Sequence, residues 1–187
     1  YKRHSQSGEV RNALASGYIT LGAGYHNHSD QTNAQRVLER AIELCDALLE
    51  SAPNDTAKIS MRARARVNLC AALRQSKQKD KARVQHDLAE ADLERLFALD
   101  PADRDTIDGL AVLRINGAFD LEASGKRADA VQYVQRNLPM LEQALKREPD
   151  EPVYRDRMWR TWGVSAMMFR GMGKARDAAM AWDNVVT

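Results

Sequence analysis

The sequence is poor in cysteine and in aromatic residues, and it contains no long apolar run. Its two cysteines, Cys45 and Cys70, are too few for a disulfide scaffold, and we expect reduced thiols on buried helix faces. Aromatic residues make up 6% of the 187 residues, which favours helices over a β-sandwich. No stretch of about 18 apolar residues is present, so we expect no membrane span. No signal peptide opens the chain, and we expect a cytoplasmic location.

The chain also lacks a strong net charge. Its 28 lysines and arginines nearly balance its 26 aspartates and glutamates, which leaves +2 and no field that would attract nucleic acid. One local basic cluster consists of Lys58, Arg62, Arg64 and Arg66. Because no aromatic side chains interleave with this cluster for base stacking, we expect a solvated face with some partner contact, and no nucleic-acid site.

Metal-binding and catalytic patterns are missing as well. His26 and His28 lie at the first predicted turn with Asp30 nearby, but alternate helical residues do not share a face and no second ligand pair is visible. His86 takes a place that is apolar in the neighbouring repeats, so we expect a packed interior histidine. We predict no catalytic residue, no metal and no cofactor, and we do not expect this chain to be an enzyme.

Three glycines, Gly17, Gly22 and Gly24, lie close together near the start of the chain. No Gly-Lys-Ser/Thr sequence follows them and no strand is predicted before them, which argues against a phosphate-binding loop. Because glycine costs about 1 kcal/mol relative to alanine inside a helix, we expect the first helix to be frayed.

What the chain does contain is an internal repeat of 48 residues. Four alanines share this spacing, namely Ala34, Ala82, Ala130 and Ala178, and three prolines follow at the same interval, namely Pro53, Pro101 and Pro149. Self-similarity at a period of about 20–50 residues indicates stacked helical units. We predict an all-α fold, a right-handed superhelix of four antiparallel helical hairpins in one domain. The predicted units cover about residues 8–54, 55–102, 103–150 and 151–187.

The third unit shows how each repeat forms a hairpin. Residues 104–123 and 128–147 carry apolar residues at helical spacing, and Gly125 marks the break between them. Pro139 lies inside the second helix and is expected to bend it. Asp150 is expected to help start the next helix. Small residues recur at Gly22, Cys70, Ala118 and Ala166, and larger apolar ones at Tyr25, Leu73, Leu121 and Phe169. The small residues predict close helix pairing within each hairpin.

The fourth unit resembles the tetratricopeptide repeat. Its pattern consists of Trp162, Ala166, Phe169, Gly173, Ala178 and Trp182. The usual unit of about 34 residues is 14 shorter than this one, which corresponds to about two added turns in each helix. Arg66 and Arg114 stand where the family's first aromatic residue is expected, which puts the usual packing of those units in doubt.

The resemblance implies a concave groove, lined by the first helix of each unit, that holds a partner peptide. We expect the groove residues to be Arg64, Asn68, Arg114, Asn116, Arg160 and Arg170. Arginines favour carboxylates, which would make the partner acidic, and asparagine amides bind peptide backbone. The alternative is that these are solvated polar residues. Ile19 and Ala23 occupy the family's clamp positions, so we do not predict binding of a chaperone tail's terminal carboxylate.

The favoured function is a non-catalytic protein-interaction scaffold, and two other functions stay open. Long-helix repeats of this kind resemble the tails of large bacterial Ser/Thr protein kinases, with Leu99-Asp100-Pro101-Ala102-Asp103 as the most similar segment. The chain would then be a regulatory or self-associating kinase tail, although it contains no kinase motif. The third function is self-assembly through Trp182, Val185 and Val186. Because the next proline would fall beyond Thr187, we expect a fragment of a longer protein.

Overall fold

A computed structural model describes the backbone of residues 2–186 and the side chains of residues 8–184. Within this range the chain is all-α, as predicted, and no strand is present. The helices are α1 (Lys2–Asn27), α2 (Gln31–Ser51), α3 (Thr56–Gln75), α4 (Lys79–Leu99), α5 (Arg104–Ala123), α6 (Arg127–Gln135), α7 (Asn137–Arg147), α8 (Pro152–Gly171) and α9 (Ala175–Val186). None of these helices, as far as they are described, combines the length and apolarity needed to cross a membrane.

The helices form two compact units, Tyr1–Leu99 and Asp100–Thr187, and each unit holds two of the four repeats. In the first unit α1 pairs with α2 and α3 with α4, and α3 packs against both helices of the preceding hairpin. In the second unit α5 pairs with α6 and α7, and α8 pairs with α9 and packs against all three preceding helices. Each unit therefore stacks its hairpins in the manner of a helical repeat.

All four hairpins turn through a residue in the left-handed backbone region. These residues recur every 48 positions as Ser29, Lys77, Gly125 and Gly173, with φ of 62°, 60°, 78° and 74°. The N–H of the following residue donates to a carbonyl five residues earlier at 2.9–3.0 Å, and the acceptors are Tyr25, Leu73, Leu121 and Phe169. This is the Schellman pattern of hydrogen bonds. The predicted break at Gly125 is confirmed, and the first two hairpins make the same turn without glycine.

Acidic residues start three of the first helices, again 48 residues apart. Asp55, Asp103 and Glu151 each accept a hydrogen bond from a backbone N–H in the first turn, at 2.9–3.3 Å. The prediction that Asp150 starts α8 is wrong by one residue, because its carboxylate instead accepts from Arg155 Nη2 at 2.8 Å. The repeat spacing itself identifies the correct residue, since Glu151 is the equivalent of Asp103.

Pro139 interrupts the second helix of the third hairpin, although Arg136 at the interruption keeps helical backbone angles, with φ of −58° and ψ of −17°. The predicted helix over residues 128–147 is divided into α6 and α7, with Arg136 between them. The break lies one turn before the proline because its ring clashes with the carbonyl of residue i−4, here Gln135, and it has no N–H to donate to that carbonyl.

The repeated small residues lie in the core of the hairpins. All four repeat alanines are buried, and so are Gly22, Cys70, Ala118 and Ala166. At Gly22 a Cβ atom would lie 2.4 Å from Cγ of Leu38, so α1 and α2 pair closely only because glycine stands there. The expected fraying of α1 is not seen, since the helix runs through all three glycines and packs against α2 and α3.

Both cysteines are buried and form no disulfide, as predicted. The Cys70 thiol donates to the carbonyl of Ala82 at 3.2 Å within the second hairpin. Burial raises the pKa of the Cys45 thiol to about 11, and the neighbouring Asp46 carboxylate adds to the effect. The Cys45 thiol is therefore a protonated packing group near neutral pH.

Candidate partner-binding site

The exposed face of the first helix in each hairpin is the candidate site. Residues four and seven positions apart share a helix face, so the side chains at positions 64, 68 and 71 of α3 lie in line. The equivalent positions are 112, 116 and 119 on α5, and 160, 164 and 167 on α8, where Val164 is buried and does not belong to the exposed surface. We call these positions the first-helix face, and each unit has its own first-helix face.

Five of the six predicted groove residues have solvent access in the structure. In the first unit, Arg64 is exposed on α3 and Asn68 is half-buried one turn further along. In the second unit, Asn116 is exposed on α5, while Arg160 and Arg170 are exposed on α8. The Nε atom of Arg160 lies 3.9 Å from a carboxylate oxygen of Asp156, and its side chain is 52% exposed.

Arg114, the sixth predicted groove residue, lies inside the protein. Arg114 is only 6% exposed, and its Nη1 donates to the carbonyl of Arg136 at 3.4 Å. Arg66, one repeat earlier, makes the equivalent hydrogen bond from Nη1 to the carbonyl of Leu88 at 3.3 Å. Both arginines thus replace the expected aromatic residue by reaching across to the second helix of their own hairpin. Arg114 is therefore removed from the candidate site.

Arg62 and Arg66 also correct the expectation of a solvated basic face. Arg62 donates from Nε and Nη2 to both carboxylate oxygens of Asp92, at 3.0 and 2.6 Å, and from Nη1 to Asp46 at 2.7 Å. Arg66 Nη1 donates to Asp92 at 2.6 Å. Asp92 is buried, and this network joins α2, α3 and α4. Two positive and two negative groups balance there, because unpaired charges are costly to bury.

The other two members of the basic cluster behave differently. Lys58 forms an ion pair with Asp55, the acid that starts α3, and Arg64 alone among the four projects from an exposed position. The cluster is therefore divided between helix capping, a buried network and one exposed arginine. Nothing in this arrangement forms a continuous basic surface.

The histidines are placed as the sequence predicts. His26 Nδ1 lies 2.9 Å from Oε1 of Gln31, and the Asp30 carboxylate accepts from the backbone N–H of Asn33 at 3.1 Å. His86 is buried, with Nδ1 lying 3.1 Å from Nη2 of Arg74. Among the described side chains, no three potential ligands of the His, Cys, Asp and Glu types come together as a metal site would require.

The structure adds two apolar residues that sequence reasoning missed. Phe119 on α5 is 41% exposed and Met167 on α8 is 36% exposed. They are 48 residues apart, and their helices pack against each other. In the first unit, Ala23 and Ala71 hold the same position. The spacing of 48 residues could have identified the pair, but periodicity alone does not distinguish an exposed apolar row from a buried one.

These helices, turns and repeated rows define an all-α helical-repeat protein. No model of a known protein family matches the sequence, and no curated protein matches it. Among solved structures, "MamA AMB-1 P212121" is similar at 15% identity and a TM-score of 0.38, covering 93% of this chain and 91% of that one. "Crystal structure of MamA protein" is similar at 14% identity and a TM-score of 0.35, covering 94% and 91%. The fold assignment therefore rests on the chain's own helices and repeats.

Proposed function

We propose that this chain is a non-catalytic protein-interaction scaffold that binds a segment of a partner protein on its first-helix face. The observation that carries the proposal is the exposed pair Phe119 and Met167 on two packed helices of the second unit. Exposed apolar side chains grouped on one surface mark interaction sites, and large apolar anchors contribute much of the binding energy at such sites.

Polar residues around this pair define the chemistry of the partner. Asn116 lies one turn before Phe119, and its amide can donate to and accept from a peptide backbone. Arg160 and Arg170 lie on either side of Met167 along α8 and can form forked hydrogen bonds with carboxylates. The partner segment is therefore one that combines apolar side chains with aspartates or glutamates.

The first unit has a smaller and more polar first-helix face of its own. Arg64 on α3 holds the position that Arg160 holds on α8, and Asn68 is the equivalent of Asn116. Ala23 and Ala71 stand in place of the apolar anchors. We expect this face to contribute charge contacts and the second unit to contribute most of the affinity. Rigid helices hold these side chains in place, which keeps the entropic cost of binding low.

A displayed library of random peptides, selected on the chain, tests this proposal. We expect the selected peptides to pair apolar residues with acidic ones, and a variant with Arg160→Glu and Arg170→Glu to bind them at least tenfold more weakly. The matched control is Lys81→Glu with Arg83→Glu, the same number of charge reversals at exposed positions of α4. Selected peptides that bind the double variant as tightly as the control variant would sink the assignment of the site.

The second proposal is a regulatory, self-associating tail of a multidomain Ser/Thr protein kinase. It is supported by the exposed apolar residues at both ends of the described chain, among them Leu14 and Trp182, which suit self-association. The neighbouring coding sequence discriminates between the two proposals. A kinase domain encoded upstream favours the tail, whereas a free-standing repeat protein favours the scaffold.

A further inference from the structure

An exposed apolar stripe runs along α1. Val10, Leu14 and Leu21 are all exposed and are spaced four and seven residues apart, so they share one helix face. We call these three residues the leading face. In the second hairpin the equivalents of Leu14 and Leu21 are Arg62 and Leu69 on α3.

Arg62 and Leu69 show which part of the chain packs on these positions in the second hairpin. Leu69 is buried in a cluster with Val37 and Leu38 of α2, and Arg62 donates to Asp46 of α2. The same side of the first helix therefore packs against the preceding hairpin in the first unit. On α1 this side is apolar and exposed.

The last hairpin has an exposed face of the opposite kind. Trp159 on α8 is 51% exposed and Trp182 on α9 is 44% exposed, and we call these two residues the trailing face. Their equivalents in the first hairpin, Ala15 and Leu38, are fully buried. Ala15 lies in a cluster against which Met61 of α3 packs.

The third hairpin repeats this arrangement. The equivalents of the two tryptophans are Ala111 and Val134, and both are fully buried. Val134 lies in a cluster with Val164 and Met168 of α8. In both units, therefore, the positions of the trailing face receive the hairpin that follows. In the last hairpin they carry two exposed tryptophans instead.

We propose that copies of this chain associate end to end, with the leading face of one copy packed on the trailing face of the next. The two faces differ, so the contact is heterologous and each copy keeps one free end for a further copy. The occupant of each face is a second copy of this chain, because Leu38 and Leu69, which hold one position of each face inside the first unit, lie in a single buried cluster.

Side-chain volume supports this junction. Inside the first unit, a small residue on one hairpin, Ala15, meets a large one on the next, Met61. At the junction between copies the equivalents are Trp159 and Ala13, so the large residue comes from the preceding hairpin and the small one from the following hairpin. In both cases a large side chain faces a small one, which lets two helices approach closely. Ala13 is exposed on α1 and leaves room for the tryptophan.

Sedimentation velocity of the 187-residue chain over a wide concentration range tests the proposal. We expect the average mass to rise with concentration and to continue beyond that of a dimer. A leading-face variant, Leu14→Glu with Leu21→Glu, and a trailing-face variant, Trp159→Glu with Trp182→Glu, are each expected to weaken association at least tenfold. An equal mixture of the two is expected to form heterodimers and nothing larger, since each variant brings one intact face.

Two control variants separate this junction from other apolar surfaces. Val84→Glu changes an exposed apolar residue of α4, and Phe119→Glu changes the first-helix face, so both are expected to associate like the unmodified chain. Far-ultraviolet circular dichroism shows that each variant is folded. A strict monomer at every concentration, a symmetric dimer that stops at two copies, or a variant mixture without heterodimers would each overturn the proposal. Loss of peptide binding in Phe119→Glu leaves this result unaffected.

Discussion

Glycine is needed at position 22 because the side chain of Leu38 leaves no room for a Cβ atom, and not because of the backbone conformation. A Cβ atom at this position would lie 2.4 Å from Cγ of Leu38, so Gly22→Ala is expected to destabilise the chain by about 1–3 kcal/mol. The third hairpin pairs Ala118 with Val134 at the equivalent positions. Adding Leu38→Val to Gly22→Ala should therefore recover part of the loss. Urea unfolding of the two single variants and the double variant measures this coupling, and simple additivity would contradict it.

Asp92 is the buried carboxylate that accepts hydrogen bonds from both Arg62 and Arg66 in the first unit. Asp92→Ala leaves Arg62 and Arg66 without their main partner, and we expect a loss of about 3–5 kcal/mol in the free energy of unfolding. Asp87→Ala, at an exposed position of the same helix, is the matched control and should change stability by less than about 0.5 kcal/mol. Equal effects of the two substitutions in thermal unfolding would show that the network is not needed.

The raised pKa of Cys45 lowers the fraction of reactive thiolate in the folded chain. Only the thiolate reacts with iodoacetamide, and the pKa of about 11 keeps the folded Cys45 protonated at pH 8. We expect neither buried cysteine to be alkylated in the folded chain and both to react quickly in urea. Mass spectrometry measures the extent of alkylation. Because folding raises the pKa of Cys45, the protonated thiol contributes to folding stability. This contribution is complete below the pKa of the unfolded thiol and is lost as pH rises towards 11.

At the scale of the elements, the four turns differ in residue type but share one conformation. Lys77 adopts a φ of 60°, which glycine adopts at lower cost, so Lys77→Gly is expected to stabilise the second hairpin by up to about 1 kcal/mol. Gly125→Ala should destabilise the third hairpin by a similar amount, because a Cβ there meets no other atom within 4 Å and only the φ of 78° opposes it. Denaturant unfolding that gave both changes the same sign would contradict this account.

The helical hairpins could be predicted from the sequence because their signals are local. Apolar residues at helical spacing on both sides of Gly125 predict the third hairpin, and this prediction needs no information on packing. The break at Arg136 could not be placed, since a proline inside a helix is compatible with a bend or an interruption and the neighbouring helices determine which forms. By residue type alone Asp150 is the better N-cap candidate, and only the 48-residue spacing from Asp103 indicates Glu151.

The candidate site was less predictable than the fold, for a physical reason. Arg64 and Arg114 both lie on predicted first helices, but they hold different repeat positions, and Arg114 shares its inward position with Arg66. Long arginine side chains can lie along apolar surfaces or extend into water, so residue type does not settle the choice. Phe119 could not be singled out from the sequence, because periodicity alone does not show whether an apolar residue on a helix is exposed or buried.

At the scale of the whole molecule, the two units present similar faces with different chemistry. The first unit buries a charged network and exposes small residues such as Ala71, whereas the second exposes Phe119 and Met167. If the chain is an interaction scaffold, its affinity for a partner segment resides mainly in the second unit. Replacing Arg64 should therefore weaken binding far less than replacing Met167.

The most direct test of the interaction scaffold is the affinity of one selected peptide for two variants, measured by isothermal titration calorimetry. We predict that Phe119→Glu with Met167→Glu raises the dissociation constant at least tenfold, which corresponds to about 1.4 kcal/mol. Val84→Glu, a charge placed on an exposed apolar position of α4, should leave the dissociation constant unchanged. Equal affinity of the peptide for both variants and the unmodified chain would contradict the assignment of the first-helix face as the binding site.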